Sequence, residues 1–320
     1  MSQAKFKPAW WLPNAHYQTL WQVFFRRSIK HLSLRRERIE LADGDFVDLD
    51  WVGNNNAPIV LILHGLEGSA KSFYVRGMLQ AVLKQGWRGV CMNFRSCSGE
   101  RNRLARAYHS GETADIAEVA HVLRQREPQT LLAAIGFSLG GNVLLKWLGE
   151  TGRQNPLTAA VAISVPFELE KAAERMTRGF SQVYQWRLLR SVYKKIQWKF
   201  QAQAAPMVIP SLHKIRTFRD FDNQVTAPLH GFVDAKDYYT QASSRQFLPA
   251  ICVPTLLLQA EDDPFVGNDS LPQQYELSKQ VMLEITKKGG HVGFVAGQFP
   301  WCAQYWLEQR APDFLGKYLS

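Results

Sequence analysis

With 320 residues, 46% of them hydrophobic, the chain can bury a large core, and its length allows one large domain or two ordinary ones; one domain with an insertion is the expectation. Its longest apolar runs, such as 58–63 and 159–165, are too short to cross a bilayer, and no basic start leads into a signal-peptide core, so a membrane-spanning or exported chain is not expected. Four cysteines, Cys91, Cys97, Cys252 and Cys302, lie far apart without C-x-x-C spacing, which argues against a zinc site or a disulfide framework and for reduced thiols in the cytoplasm; the net charge of +10 suggests an anionic partner, but only its distribution can say which.

Residues 1–30 set Trp10, Trp11, Trp21, Phe24 and Phe25 among basic residues with no clear period, and Pro8 and Pro13 break any early helix. The reading is an N-terminal arm with its aromatics buried against the body. Partial alternation over 32–41 and 46–51, around the Asp43-Gly44 turn, predicts an antiparallel hairpin at a sheet edge. From Pro58 onward, short apolar runs alternate with amphipathic stretches, the pattern of a mostly parallel sheet covered on both faces. Strands are expected at 59–63, 89–94, 130–135, 159–165, 255–259 and 282–285, and helices at 72–85, 113–126, 141–150 and 301–318. Alternation fails between Phe167 and Pro254, a span too long for one crossover helix. The expected division is therefore an arm over 1–30, an α/β core over 31–166 and 254–320, and an inserted, largely helical cap over 167–253.

The core is organised around 130–151, TLLAAIGFSLGGNVLLKWLGET. A strand-length apolar run leads into Gly136-Phe137-Ser138-Leu139-Gly140, and Val143, Leu144, Trp147 and Leu148 then follow helical spacing. Strand, sharp turn and helix around G-x-S-x-G describe a nucleophile elbow, in which the serine hydroxyl projects above the sheet next to a helix N-terminus. A serine needs a base within reach and an acid to orient that base. Both are expected at later strand ends. After 282–285 comes Lys287-Lys288-Gly289-Gly290-His291, and His291 is the candidate base; the remaining histidines, among them His16, His31, His109 and His230, precede the sheet, flank helices or belong to the insertion. After 255–259 comes Glu261-Asp262-Asp263-Pro264. Asp263 is the preferred acid, Asp262 a solvated neighbour, and Glu168 after 159–165 an alternative. His64-Gly65-Leu66 ends the strand 59–63 and matches an early H-G loop, so the backbone N–H groups of Leu66 and Leu139 are the candidate oxyanion donors. The chain has no H-E-x-x-H, no G-x-x-x-x-G-K-[ST] and no G-x-G-x-x-G, and this chemistry needs neither metal nor nucleotide cofactor.

Taken together, His64-Gly65-Leu66-Glu67-Gly68-Ser69, Asn93-Phe94-Arg95-Ser96-Cys97-Ser98-Gly99-Glu100, Gly136-Phe137-Ser138-Leu139-Gly140-Gly141-Asn142, Asp262-Asp263-Pro264-Phe265 and Gly289-Gly290-His291-Val292-Gly293-Phe294 closely resemble the YheT-like branch of the α/β-hydrolases, from about Pro13 to the C-terminus. That branch includes bacterial candidate esterases and eukaryotic ABHD-type lipid hydrolases. The resemblance implies the α/β-hydrolase fold, a charge relay of Ser138, Asp263 and His291, and carboxylic-ester hydrolysis, and leaves the physiological ester open; a small-molecule ester with an apolar acyl chain is the expected substrate, lipid or acylglycerol esters being one candidate class. One departure is Ser96, where the family motif N-F-R-G-C has glycine; it is expected to alter the wall of the pocket. The same residues would serve acyl or thioester transfer, and an idle hydrolase fold kept as a lipid or protein binding module is the reading from another class.

The charge is concentrated in the insertion. Between Arg175 and Arg219 there are ten Lys or Arg and no Asp or Glu, equal to the whole net charge of +10. Tyr184, Leu188, Val192, Ile196 and Phe200 recur every four residues, with Arg187, Arg190 and Lys194 elsewhere on the wheel, which makes a basic amphipathic helix. A solvated face over a cap packed on the cleft is the first reading, and weak peripheral contact with an anionic membrane is the second. Nucleic acid is not an expected partner, since no recognition motif accompanies the charge.

Overall fold

The computed structural model describes residues 2–3, 6–26, 32–54 and 56–319; His31 lies outside them. In chain order the elements are β1 (Ser2–Gln3), α1 (Ala15–Phe25), β2 (Arg35–Glu40), β3 (Phe46–Val52), β4 (Ile59–Leu63), α2 (Phe73–Lys84), β5 (Arg88–Asn93), α3 (Ala114–Arg126), β6 (Leu132–Phe137), α4 (Leu139–Thr151) and β7 (Ala159–Ile163). There follow α5 (Leu169–Arg175), α6 (Ser181–Phe200), α7 (Phe218–Phe221), α8 (Ala227–His230), α9 (Ala235–Ala242), β8 (Thr255–Ala260), β9 (Val281–Thr286), the short pair β10 (Val295–Ala296) and β11 (Gln304–Tyr305), and α10 (Leu307–Leu315).

Among the described residues nine strands form one sheet in the order β1-β9-β8-β7-β6-β4-β5-β3-β2. All neighbours from β1 to β5 run parallel, and the β2–β3 hairpin adds antiparallel at the opposite edge. Strands β4 to β8 are buried along their whole length, which is why they read as continuous apolar runs and not as alternation. Two large apolar clusters result, one on each sheet face: Leu61, Leu63, Val143 and Leu144 belong to the first, and Val60, Ile62, Met78 and Phe314 to the second. Odd and even positions of β4 thus feed opposite layers, as a pleated strand requires. No helix among the described residues is long and apolar enough to cross a membrane.

Three features depart from the sequence expectations. The first is α1, where no helix was expected. Asn14 caps it through its side chain on the N–H groups of His16 and Tyr17, immediately after Pro13. Its buried stripe is polar, Gln18 and Gln22, whereas Trp10, Phe24 and Phe25 are exposed rather than packed on the body. Only Trp11 and Trp21 of the five aromatics are half-buried, in edge contact at 4.5 Å. An apolar periodicity cannot reveal a helix whose inward face consists of glutamines. The second is β1, whose two residues add to the outer edge of β9 and are too short to leave a pattern. The third is the C-terminal helix, which begins at Leu307 because 300–302 form a 3₁₀ turn and 304–305 pair with β10.

Candidate active site

Four loops at the carboxyl ends of parallel strands meet over the centre of the sheet, where strand order reverses around β4. The loop after β6 presents Ser138 at φ 51° and ψ −118°, a conformation L residues rarely take, and it is held there because the Ser138 N–H donates to the Ile163 carbonyl at 2.8 Å. Glycine on either side is a steric necessity. A Cβ on Gly136 would lie 2.5 Å from the Gly140 carbonyl oxygen, and one on Gly140 would lie 2.5 Å from that of His64.

The loop after β9 carries His291, and the loop after β8 carries Asp263. His291 Nε2 stands 3.0 Å from Ser138 Oγ, and His291 Nδ1 stands 2.9 and 3.1 Å from the two carboxylate oxygens of Asp263. Asp263 is 2% exposed. One of its oxygens also accepts from the Phe265 N–H at 2.8 Å and the other from Gln259 Nε2 at 3.3 Å, so its orientation is set by backbone and side chain together. The Phe265 ring then stacks on the imidazole with centroids 4.0 Å apart and 5° between planes, which fixes the ring that Asp263 orients.

Asp262 is not the solvated neighbour the sequence suggested. It accepts from the Gly290 N–H at 2.9 Å and so pins the histidine loop, and burial pushes its carboxyl up from the usual range. Glu168 is drawn away from the site into ion pairs with Arg245 and Lys171 (3.0 Å to the latter). Ser96 does take φ 61°, the left-handed conformation that suits glycine, but it lines a second cavity rather than the one at Ser138.

The histidine loop is clamped from α1, a contribution invisible to sequence reading. Gln18 exchanges two hydrogen bonds with Val295, at 3.1 Å to its carbonyl and 2.7 Å from its N–H. Gln22 donates to the carbonyls of Val292 and Gly293, and Thr19 Oγ1 accepts from the His291 N–H at 2.9 Å. On the far side Ser164 Oγ accepts from the Val292 N–H at 3.0 Å.

The loop after β4 is tied in alternation. Gly65 N–H donates to the Tyr74 hydroxyl and Glu67 N–H to the Tyr108 hydroxyl, both at 2.9 Å. The Leu66 N–H between them, like the Leu139 N–H at the start of α4, has no acceptor among the described residues, and both residues line the cavity over Ser138. His64 anchors this loop from below. Its Nδ1–H donates to the Gly65 carbonyl at 2.7 Å and its Nε2 accepts from the Phe94 N–H at 3.1 Å, so the buried ring is needed as one neutral tautomer.

That neutrality sets a pH dependence. Burial pushes His64, His109 and His230 down to about 3. In the unfolded chain each imidazole takes up a proton near pH 6.5, so stability is lost as pH falls from there toward the folded values. Asp222, pushed up to about 6 by burial, opposes one of the three because its folded form takes up a proton first. Each imidazole contributes a loss of up to about 1.4 kcal/mol per pH unit below about pH 6, offset in part by the carboxyls of Asp262, Asp115 and Glu308, which burial also raises. Urea unfolding at pH 7.5 and 5.5 checks this; equal midpoints would mean the imidazoles are charged or solvated in the fold.

The cavity over Ser138 has a volume of about 550 Å³ and is walled by Leu20 and Val23 of α1, Phe73, and Met176, Tyr184 and Leu188 of the insertion. These walls are mainly apolar, with the hydroxyl and imidazole at one side. Residues 58–298 match the family model described as the alpha/beta hydrolase fold. The chain belongs to the α/β-hydrolase fold family. Within that family it lies in the YheT and ABHD branch. It is 43% identical to YheT of Escherichia coli, a candidate esterase, over all of this chain and 95% of that one. It is 33% identical to phospholipase ABHD3 of Mus musculus, over 92% of this chain and 74% of that one. Among solved structures, an esterase of Pyrococcus furiosus superposes with a TM-score of 0.58 at 18% identity, covering 90% of this chain and 94% of that one, a likeness of fold alone.

Proposed function

We propose that this α/β-hydrolase is a serine esterase acting on small-molecule carboxylic esters with an apolar acyl chain. The observation that carries the reading is the unbroken hydrogen-bonded line from Ser138 Oγ through His291 to Asp263 at the side of an apolar cavity. As the Ser138 oxygen bonds to the acyl carbon, its proton passes to His291 Nε2, and the Asp263 carboxylate holds the resulting imidazolium. The carbonyl oxygen, now an oxyanion, accepts from the Leu66 and Leu139 N–H groups. Collapse expels the alcohol with the proton from Nε2, and water, deprotonated by the same nitrogen, releases the acid and restores Ser138. Relatives named phospholipase and monoacylglycerol lipase agree with an ester substrate. A fluorophosphonate probe followed by mass spectrometry tests the reading. An adduct on Ser138 is expected; a folded protein that stays unlabelled beside a reactive serine hydrolase would assign the fold to a binding module instead.

In this reading residues 167–253 are the inserted cap, the described residues 6–26 of the 1–30 arm are tied to the core through Gln18 and Gln22, and the enzyme works in the cytoplasm. The surface carried by α6 and α1, both of which wall the cavity, suits contact with a lipid interface. Arg187, Arg190 and Lys194 are exposed on α6, beside exposed Phe180 and Trp186, and α1 contributes exposed Phe24 and Phe25. Lys195 does not belong to this basic surface, because it is paired with Glu67 at 2.7 Å. With about 1 kcal/mol for each cation near an anionic surface, changing Arg187, Arg190 and Lys194 to Gln is expected to weaken binding to phosphatidylserine vesicles roughly 100-fold. Co-sedimentation at low and high salt checks it. Identical sedimentation of both proteins, or indifference to salt, would make the cluster a solvated face.

A further inference from the structure

A second cavity adjoins the one over Ser138, with Leu66 and Leu139 on the walls of both. It is smaller, about 120 Å³, and also shares Glu67, Asp222 and Tyr238 with the first. The last turn of α6 forms part of its wall and sends Lys199 inward. Lys199 is 1% exposed, its Nζ has no hydrogen-bond partner among the described residues, and it lines this cavity.

The neighbouring charged groups already have hydrogen-bonded partners. Arg95 is held by Asp43, Asp45 and Asp115, with contacts of 2.6 to 2.9 Å. Lys195 pairs with Glu67 at 2.7 Å and touches Cys97 Sγ at 3.0 Å. Asp222 accepts from the Thr226 and Tyr239 hydroxyls, at 2.6 and 2.7 Å. His109 and His230, packed at 4.5 Å, are neutral for the reason given above. Lys199 is therefore left as an ammonium with no hydrogen-bonded partner, and the Asp45 carboxylate, already held by Arg95, acts on it only through space. A lysine near a surface ordinarily extends its stem and keeps its head in water, and an enclosed, unpaired head is among the costliest groups a fold can hold. Burial pushes this amine down to about 8, against the Asp45 carboxylate, which raises it, and with Arg95, which lowers it further, and it remains mostly charged at neutral pH.

We propose that the inner cavity is a subsite for an oxyanionic group, a carboxylate or phosphate, carried by the ester that Ser138 cleaves, with Lys199 as its counter-charge. This rests on the reading of Ser138 as the nucleophile. The division of labour follows from size and lining: the cavity of about 550 Å³ takes the apolar chain, and the cavity of about 120 Å³ has room for one compact charged group. Preferred substrates are then esters whose acid or alcohol part ends in an anion, and Glu67, bridging both cavities and neutralised by Lys195, does not repel it.

The test compares wild type with Lys199→Met, which keeps the length of the stem and removes the charge. Two esters share one leaving group, p-nitrophenyl butyrate and the p-nitrophenyl monoester of glutaric acid. In wild type the carboxylated ester is expected to have the higher kcat/KM, and in Lys199→Met the ratio of carboxylated to neutral rates falls about tenfold or more, the worth of one charge-assisted hydrogen bond. Inorganic phosphate is expected to raise the Tm of wild type more than chloride at equal ionic strength, and not that of the variant. The variant itself should melt no lower than wild type without anion, since an apolar side chain replaces an unpaired charge. An unchanged ratio overturns the substrate subsite even if phosphate shifts the Tm, in which case the cavity takes free anions only. Equal phosphate shifts in both proteins, or a variant that unfolds, mean that Lys199 Nζ already has a partner and sink the proposal. Fluorophosphonate labelling of Ser138 in both proteins keeps this result separate from the esterase reading.

Discussion

A Ser138→Ala variant is expected to fold as wild type, to lose all fluorophosphonate labelling, and to fall in kcat by roughly 10⁶, about 8 kcal/mol of transition-state stabilisation. The size follows from what the hydroxyl does. It is the atom that attacks, and its one side-chain hydrogen bond among the described residues runs to His291 Nε2, so its loss leaves no substitute nucleophile in line with the base. Stability should hardly change. The positive φ of 51° costs alanine as much as serine, and the N–H bond to Ile163 survives the replacement. A residual acceleration from the Leu66 and Leu139 donors is expected, which water attacking directly can exploit. Thermal melting and a sensitive chromogenic ester measure both quantities, and a variant within tenfold of wild type would remove Ser138 from the reaction.

The second large effect belongs to Asp263. Asn at this position keeps the shape but can present its NH₂ to His291 Nδ1, which favours the tautomer whose Nε2 already bears a proton and cannot accept the one from Ser138. A fall in kcat of roughly 10³ to 10⁴, with little change in Tm, is the expected result. Asp262→Asn should cost far less, because the amide oxygen can still accept from Gly290 N–H. Glu168→Gln should leave kcat alone and weaken only the pairs with Arg245 and Lys171. Raising pH ought to recover part of the Asp263→Asn rate, because hydroxide can take the proton that the wrong tautomer cannot accept, a signature that a merely structural role would not produce. A greater loss at Asp262 or Glu168 than at Asp263 would overturn the assignment.

The residues that meet over the sheet were legible one by one because a parallel sheet gathers the carboxyl ends of its strands: once the apolar runs are read as strands, Ser138, Asp263 and His291 follow three of them in order. Gly136 and Gly140 were legible for a similarly local reason, since the crowding that excludes a Cβ arises within one strand-turn-helix and against its neighbouring strand end. What the tertiary structure alone decided is polar and long-range. Gln18 reaches Val295 across 277 positions, and an inward face made of glutamines bonded to backbone has the same periodicity as a face turned to water. The free N–H of Leu66 depends on Tyr74 and Tyr108 taking the N–H groups on either side of it. Lys194, Lys195 and Lys199 read alike as helix charges, yet the first is exposed, the second pairs with Glu67 and the third ends enclosed beside the active cavity. Hydrophobic patterning records which side chains leave water, but a polar group leaves water only when a particular partner waits for it, and that partner is supplied by the fold.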